Sequence, residues 1–307
     1  MWPIIYIFAI IMQSNKHFWY HLIALIVALI WGETFINSKI LILHGMSPSE
    51  IFVVRFLLAY ICIWFISPKR LFCHNWKDEL RMMGLGITGG SLYFVSENMA
   101  VGLTYVNNVS FIVSTAPLIT TLFALAIYRE FKAGWQLIAG SILALAGVGL
   151  VIFNGQVVLR LNPVGDLLAL ASSVSWAVYS LLIRKVSKNY NATFLTRKVF
   201  FYGLVTMLPV FAVDPWQFPL RDFLKPEIYV NALFLGIVAS FLCFALWSWV
   251  IDKLGALKTT NYTYLNPLTT IVASAIFLDE PMTTIAYIGS GMILAGVILA
   301  NLQKNMV

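Results

Sequence analysis

The sequence predicts an all-α integral membrane protein of ten transmembrane helices, arranged as two inverted five-helix repeats. Three observations predict it. Of the 307 residues, 60% are hydrophobic and only 11% charged, with a mean hydropathy of +0.86, whereas a soluble domain carries about 25% charge. The apolar residues gather in windows of roughly twenty, a length matched to about 30 Å of hydrocarbon at 1.5 Å per residue. Finally, residues 98–131 slide onto residues 248–281 at a constant offset of 150, aligning Pro117 with Pro267 and Glu130 with Glu280.

The first twelve residues, MWPIIYIFAIIM, are apolar but too short to span, and they lack a basic leader and a small-residue cleavage site. Residues 1–17 are therefore set apart as an interfacial segment or a non-native extension. Five apolar windows follow, at 18–40, 49–67, 81–101, 107–128 and 135–154, and five more at 164–184, 193–213, 228–251, 259–278 and 284–302. They are too long and too continuously apolar for barrel strands, and a helix satisfies its own backbone in lipid. The fronts of the halves match as well: ALIVALIW ends at Trp31 and ALASSVSW at Trp176. The units are thus 18–154 and 155–307. Because five is an odd number, the second copy enters the membrane upside down.

Alternating the connections places Lys16, Lys69, Arg70, Lys77, Arg81, Arg129, Lys132, Arg184, Lys185, Lys188, Lys253, Lys258 and Lys304 on one side, against Arg160, Arg221 and Lys225 on the other. Basic loops resist translocation, so both termini are expected in the cytoplasm and the chain in a cytoplasmic (inner) membrane. Topology then accounts for the net charge of +7, and no nucleic-acid partner is implied. Cys62, Cys73 and Cys243 have no paired spacing, and His17 and His21 lack a third ligand, so neither a disulfide framework nor a metal site nor a cofactor is expected. No P-loop or G-x-S-x-G motif accompanies the spans. A monomer and a homodimer are both compatible with the sequence.

Within this apolar background the ionisable residues carry the functional expectation. Glu33, in WGETFINSK, Arg55 and Glu97 lie five to seven residues from the outer ends of helices 1, 2 and 3, roughly 8 to 10 Å deep. Buried ionisable groups face the bundle interior and pair, so a cluster of two carboxylates and one guanidinium is expected, with Lys39 and nearby asparagines. Helical spacing adds Asn37 four residues after Glu33, Tyr93 four before Glu97, a stripe of Ser172, Ser175, Trp176 and Tyr179, and polar stripes through Ser114 and Asn266. Trp31 and Trp176 sit too deep for an interfacial belt. The candidate substrate-binding residues are therefore Trp31, Glu33, Asn37, Arg55, Tyr93, Glu97, Asn98, Ser114, Trp176, Tyr179 and Asn266. Pro117 and Pro267, each near a helix midpoint, are the candidate hinges.

Two copies each ending in a helix with a central proline, then a Glu (YREFK, LDEP), then a small-residue helix (AGSILALAGVG, GSGMILAGV), resemble the EamA-type family of the drug/metabolite transporter superfamily. WGETFINSK resembles that family's WG-S-N-F-x-x-x-K, and VVRFLLA its RF-x-x-A. The resemblance covers about residues 18 to 302, departing at Glu33, where a small polar residue is usual, and at Arg129, where glycine is usual. It implies a secondary transporter, working outward as an exporter, of small metabolites such as amino acids or amphipathic and cationic compounds. Proton coupling through Glu97 and Glu33 is a further expectation. A membrane-embedded lipid-modifying enzyme or a non-transporting subunit are the alternatives. The topology predicts that a cysteine placed at Arg70 reacts with an impermeant thiol reagent only from the cytoplasmic face, and one at Arg221 only from the opposite face; labelling of both from one face would contradict it.

Overall fold

A computed structural model describes residues 2–67, 72–104, 106–128, 132–153, 162–277 and 284–303. The calls on Glu130 and Glu280 and on the basic loop residues Lys69, Arg70, Arg129, Arg160 and Lys304 lie outside the described residues.

Among the described residues the fold is all-helical. The chain runs α1 (Trp2–Leu43), α2 (Pro48–Ile66), α3 (Trp76–Gly86), α4 (Leu92–Leu103), α5 (Val106–Val113), α6 (Ala116–Ile127), α7 (Trp135–Phe153), α8 (Pro163–Val186) and α9 (Ala192–Met207). It continues with α10 (Pro226–Leu233), α11 (Cys243–Leu254), α12 (Ala256–Thr260), α13 (Asn266–Phe277) and α14 (Thr284–Asn301). Among the described residues six stretches are long and apolar enough to cross a bilayer: Phe18–Leu43, Pro48–Ile66, Val109–Ile127, Pro163–Val186, Ala192–Ala212 and Pro226–Leu254. Shorter apolar helices cover Trp135–Leu150 and Tyr287–Asn301. α1 is continuous from Trp2, so residues 2–17 extend the first helix where the sequence set them apart from it.

The helices start where short polar residues can take up orphan backbone donors. Ser47 and Glu50 form a reciprocal capping box on α2, and Asn75, Asn162 and Asn191 cap α3, α8 and α9. The Glu50 carboxylate also accepts the backbone N–H groups of Gln217 and Phe218 at 2.6 and 2.8 Å, tying the connection before α10 to the head of α2. At the opposite end Lys198 on α9 pairs with Glu79, the Tyr202 hydroxyl donates to Glu79 at 2.5 Å, and Tyr190 donates to Asp78 at 2.9 Å. These bonds fasten α9 to the head of α3.

Two features recur at the repeat offset. The α3–α4 and α10–α11 rods each pass through a π-helical turn, at Ile87–Ser91 and Phe234–Leu242, and Gly90 leaves helical geometry altogether (φ −126°, ψ −105°). At equivalent positions, just before the first turn and within the second, a glycine allows a close approach: a Cβ on Gly86 would lie 2.3 Å from Tyr202, and one on Gly236 2.7 Å from Leu58. The π turns have no sequence signal of their own, which is why periodicity treats both rods as plain helices.

α7 and α14 pack face to face over small residues. A Cβ on Gly140 would lie 2.4 Å from the Ala300 nitrogen, and one on Gly296 2.5 Å from that of Ala144. Such approach suits membrane packing, where close backbone contact replaces the hydrophobic effect. Gly140→Leu is expected to destabilise the protein by about 2 kcal/mol or more through overpacking, while Gly291→Leu, with nothing within 4 Å of its Cβ, leaves it unchanged. Thermal unfolding in detergent distinguishes the two.

Candidate functional site

A pocket lies among α1, α2, α4, α5, α6, α8, α11 and α13, with about 430 Å³ of non-atom space when the open solvent at its mouth is included. Its walls are built largely from residues that the repeat aligns. Trp31 on α1 faces its aligned mate Trp176 on α8, with ring centroids 5.2 Å apart. Phe94 on α4 and Phe244 on α11, Val113 on α5 and Thr263, and Ala116 and Asn266, at the starts of α6 and α13, are further pairs at the offset of 150. Thr34, Phe35, Arg55, Tyr93 and Glu97 complete the wall. All of these side chains except Tyr93 are buried.

The aromatic part is continuous. Trp31 and Trp247 have centroids 4.7 Å apart, Trp31 and Phe244 5.7 Å, and Trp176 and Tyr179 4.9 Å. Offset and edge contacts of this kind fix ring planes relative to one another. Trp31 is oriented by its indole N–H, which donates to the Ala239 carbonyl in the π turn at 2.9 Å. Ser175, beside Trp176, does the same to the Thr88 carbonyl of the other π turn at 2.7 Å. The widened turns thus supply carbonyls to side chains from outside the rod, in keeping with the association of π turns with functional sites.

The charged part comes from the first half of the chain alone. Arg55, 1% exposed, donates from Nε to the Ser240 hydroxyl at 2.9 Å and lies with Cζ 3.9 Å from the centroid of the Phe94 ring. Its Nη1 has no hydrogen-bond partner among the described residues, and neither does Oε2 of Glu97, which is also 1% exposed. Tyr93, one turn before Glu97, interacts with that carboxylate through its hydroxyl. Arg55 and Glu97 make no ion pair with each other. The wall also presents the unpartnered Trp176 Nε1 and Asn266 Oδ1.

The structure therefore brings Trp31, Arg55, Tyr93, Glu97, Trp176 and Asn266 together around one cavity. Tyr179 packs against Trp176 just outside it. Asn37 instead donates to Asn231 on α10 at 2.6 Å, Asn98 reaches the Pro48 carbonyl at 3.4 Å, and Ser114 bonds back to the Ser110 carbonyl at 2.7 Å. Lys39 donates to the Val101 carbonyl at 2.9 Å. The expected cluster with two carboxylates does not form, because Glu33 stays out of the wall. Two residues past Trp31, it points about 200° round the helix from the cavity face, and it is half-buried there. Depth had matched Glu33 to Arg55 and Glu97, but contact also needs the same face.

Phe35, Phe94, Phe244, Val113 and Ala116 escape a search for polar stripes. The repeat could have found Phe244, since it aligns with Phe94, three positions before the cavity carboxylate Glu97. Pro117 falls in the first turn of α6, directly after a break at Ser114 and Thr115, and Pro267 in the first turn of α13, after the 3₁₀ turn Asn261–Leu265. Among the described residues no group of three or more metal-ligating side chains occurs.

Two separate stretches of the sequence, residues 18–153 and 163–302, match the EamA-like transporter family. The chain belongs to that family. As an EamA-like chain with these apolar helices it is a multi-pass membrane protein. It is 26% identical over 289 residues to an uncharacterized transporter of Archaeoglobus fulgidus, covering 93% of this chain and 98% of the relative. It is 24% identical over 290 residues to a probable amino-acid metabolite efflux pump of Escherichia coli (strain K12), covering 89% and 92%. A probable terminal-alkyne amino-acid exporter of Streptantibioticus cattleyicolor is 25% identical over 294 residues, covering 94% and 95%. A solved crystal structure superposes with a TM-score of 0.71 over 92% of this chain and 96% of its own, at 18% identity, a likeness of fold.

The two tryptophans give a direct test of the wall. Trp31→Phe removes a buried hydrogen bond and is expected to cost about 1 kcal/mol more than Trp176→Phe, which removes none. Reversible unfolding in detergent measures the difference.

Proposed function

We propose that this EamA-like chain is a secondary transporter that exports small metabolites, such as amino acids or amphipathic cations, through its central cavity. The observation that carries the reading is an aromatic-lined cavity in which an arginine and a glutamate each keep an unpartnered polar atom. Buried polar atoms are normally satisfied, and exceptions mark functional positions. The names of the relatives from E. coli and S. cattleyicolor point to amino-acid solutes and to outward transport.

The substrate is held by Trp31, Arg55, Tyr93, Glu97, Trp176 and Asn266, with Asn37, Asn98, Ser114 and Tyr179 supporting the wall from behind. The chain crosses the membrane ten times as two inverted copies, 18–154 and 155–307, with both termini in the cytoplasm of a cytoplasmic-type membrane. The aligned pairs across the cavity and the paired π turns support that arrangement. Each copy carries one rod broken just before a proline, and discontinuous helices at a midplane site are how many inverted-repeat transporters build their gates. The breaks at Pro117 and Pro267 act as pivots: rocking one copy against the other opens the cavity to one face and closes it to the other. Proton exchange at Glu97 couples the cycle to a pH gradient.

Reconstituted in liposomes, the chain is expected to move radiolabelled amino acid at a rate that responds to an imposed pH gradient. Glu97→Gln lowers that rate at least tenfold, the worth of one charge-assisted hydrogen bond of about 1.4 kcal/mol. Pro117→Ala and Pro267→Ala slow turnover while leaving solute affinity within about twofold, since neither ring is needed for contact with the solute. Absence of flux for every solute in a broad panel would refute transport.

A further inference from the structure

The cavity contains two opposite charges that do not neutralise each other by contact. Arg55 is anchored through Nε to Ser240 and by its face to Phe94, which leaves Nη1 without a partner. Glu97 leaves Oε2 without one. Beside them stand one further unpartnered acceptor, Asn266 Oδ1, and one further unpartnered donor, Trp176 Nε1. An unpaired buried charge is costly, so the ligand that binds well is the one that serves both groups at once.

An organic cation would serve Glu97 but would bring a second positive charge against a guanidinium that cannot lose its own. An organic anion would meet the reverse conflict at Glu97. A molecule with an ammonium and a carboxylate on one carbon satisfies both and adds no net charge to the apolar interior.

Resting on the transport reading above, we infer that the cavity selects zwitterionic α-amino acids with an apolar side chain over amines and over carboxylic acids of the same size. The ammonium group donates to Glu97 Oε2 and Asn266 Oδ1. The carboxylate accepts from Arg55 Nη1 and Trp176 Nε1. The side chain lies against the rings of Trp31 and Phe244. Arg55 is in this scheme the residue that determines specificity, since without it the cavity is an acidic aromatic pocket suited to cations.

The test uses the full chain in nanodiscs and three probes that differ only at the head group: L-leucine, 3-methylbutylamine and 4-methylpentanoate. Binding is read by intrinsic tryptophan fluorescence and by thermal shift. L-leucine is expected to bind at least tenfold more tightly than either of the others. Glu97→Gln weakens L-leucine and the amine at least tenfold and spares the acid. Arg55→Gln weakens L-leucine and raises the affinity for the amine, so that the preference reverses; Arg55→Lys, which keeps the charge, retains the preference for leucine should the glutamine variant not fold.

If liposomes carry flux but the wild-type chain binds the amine as tightly as leucine, this inference is wrong and the transport reading survives. If Arg55→Gln, or Arg55→Lys when the glutamine variant does not fold, weakens all three probes equally, Arg55 is a structural residue and the inference is likewise overturned. If none of the three binds and no solute is carried, both readings fall together.

Discussion

A guanidinium sealed inside an apolar bundle is the constraint around which the centre of this protein is arranged. Arg55 is 1% exposed, and a cation that cannot shed its proton must have its donors met or stay costly. Ser240 meets one of them, and it does so from within the π turn Phe234–Leu242. The Phe94 ring covers the flat face of the group, an attraction that strengthens when water is absent. Glu97 supplies the compensating charge nearby without touching it. Moving any of the three would leave a buried charge unsupported, so α2, α4 and the π turn are locked to a common geometry.

The π turns serve a second purpose. A helical carbonyl engaged within its rod keeps a second lone pair, and a wider turn opens it to donors from outside. By overstepping one register, the two π turns offer Thr88 and Ala239 to hydroxyl and indole donors from α8 and α1. Gly86, just before the first turn, and Gly236, within the second, let α9 and α2 approach closely at the same level. Both rods therefore act as junctions where three elements meet, and both do so at equivalent points of the repeated sequence.

Much of this was legible in the sequence and some was not, for identifiable reasons. The helical class and the alignment of Trp31 with Trp176 follow from composition and from internal similarity, which survive divergence because they rest on many positions, while the family rests on the resemblance of motifs such as WGETFINSK and VVRFLLA. The meeting of Arg55, Tyr93 and Glu97 follows from depth together with the cost of burying charge. Glu33 shows the limit of depth used alone, for its helix face turns it away from the others. Phe94 and Phe244 were hidden because an aromatic ring in an apolar helix carries no contrast with its surroundings. The π turns were hidden because an extra residue in a helix leaves no mark on periodicity over so few positions. Asn37 looked like a cavity residue because it shares a stripe with Glu33, and it is instead bonded to Asn231 on α10.

The cavity wall pairs residue with residue across the two copies, yet every charged side chain in it comes from one copy. Glu97 aligns with Trp247, which has no charge to lend. The wall is thus near-symmetric in its rings and one-sided in its charge: Trp31 and Phe94 answer Trp176 and Phe244, while the second copy sets no ionisable lining residue against Arg55 and Glu97. Whatever occupies this space meets similar surfaces from both copies and an electric field from one.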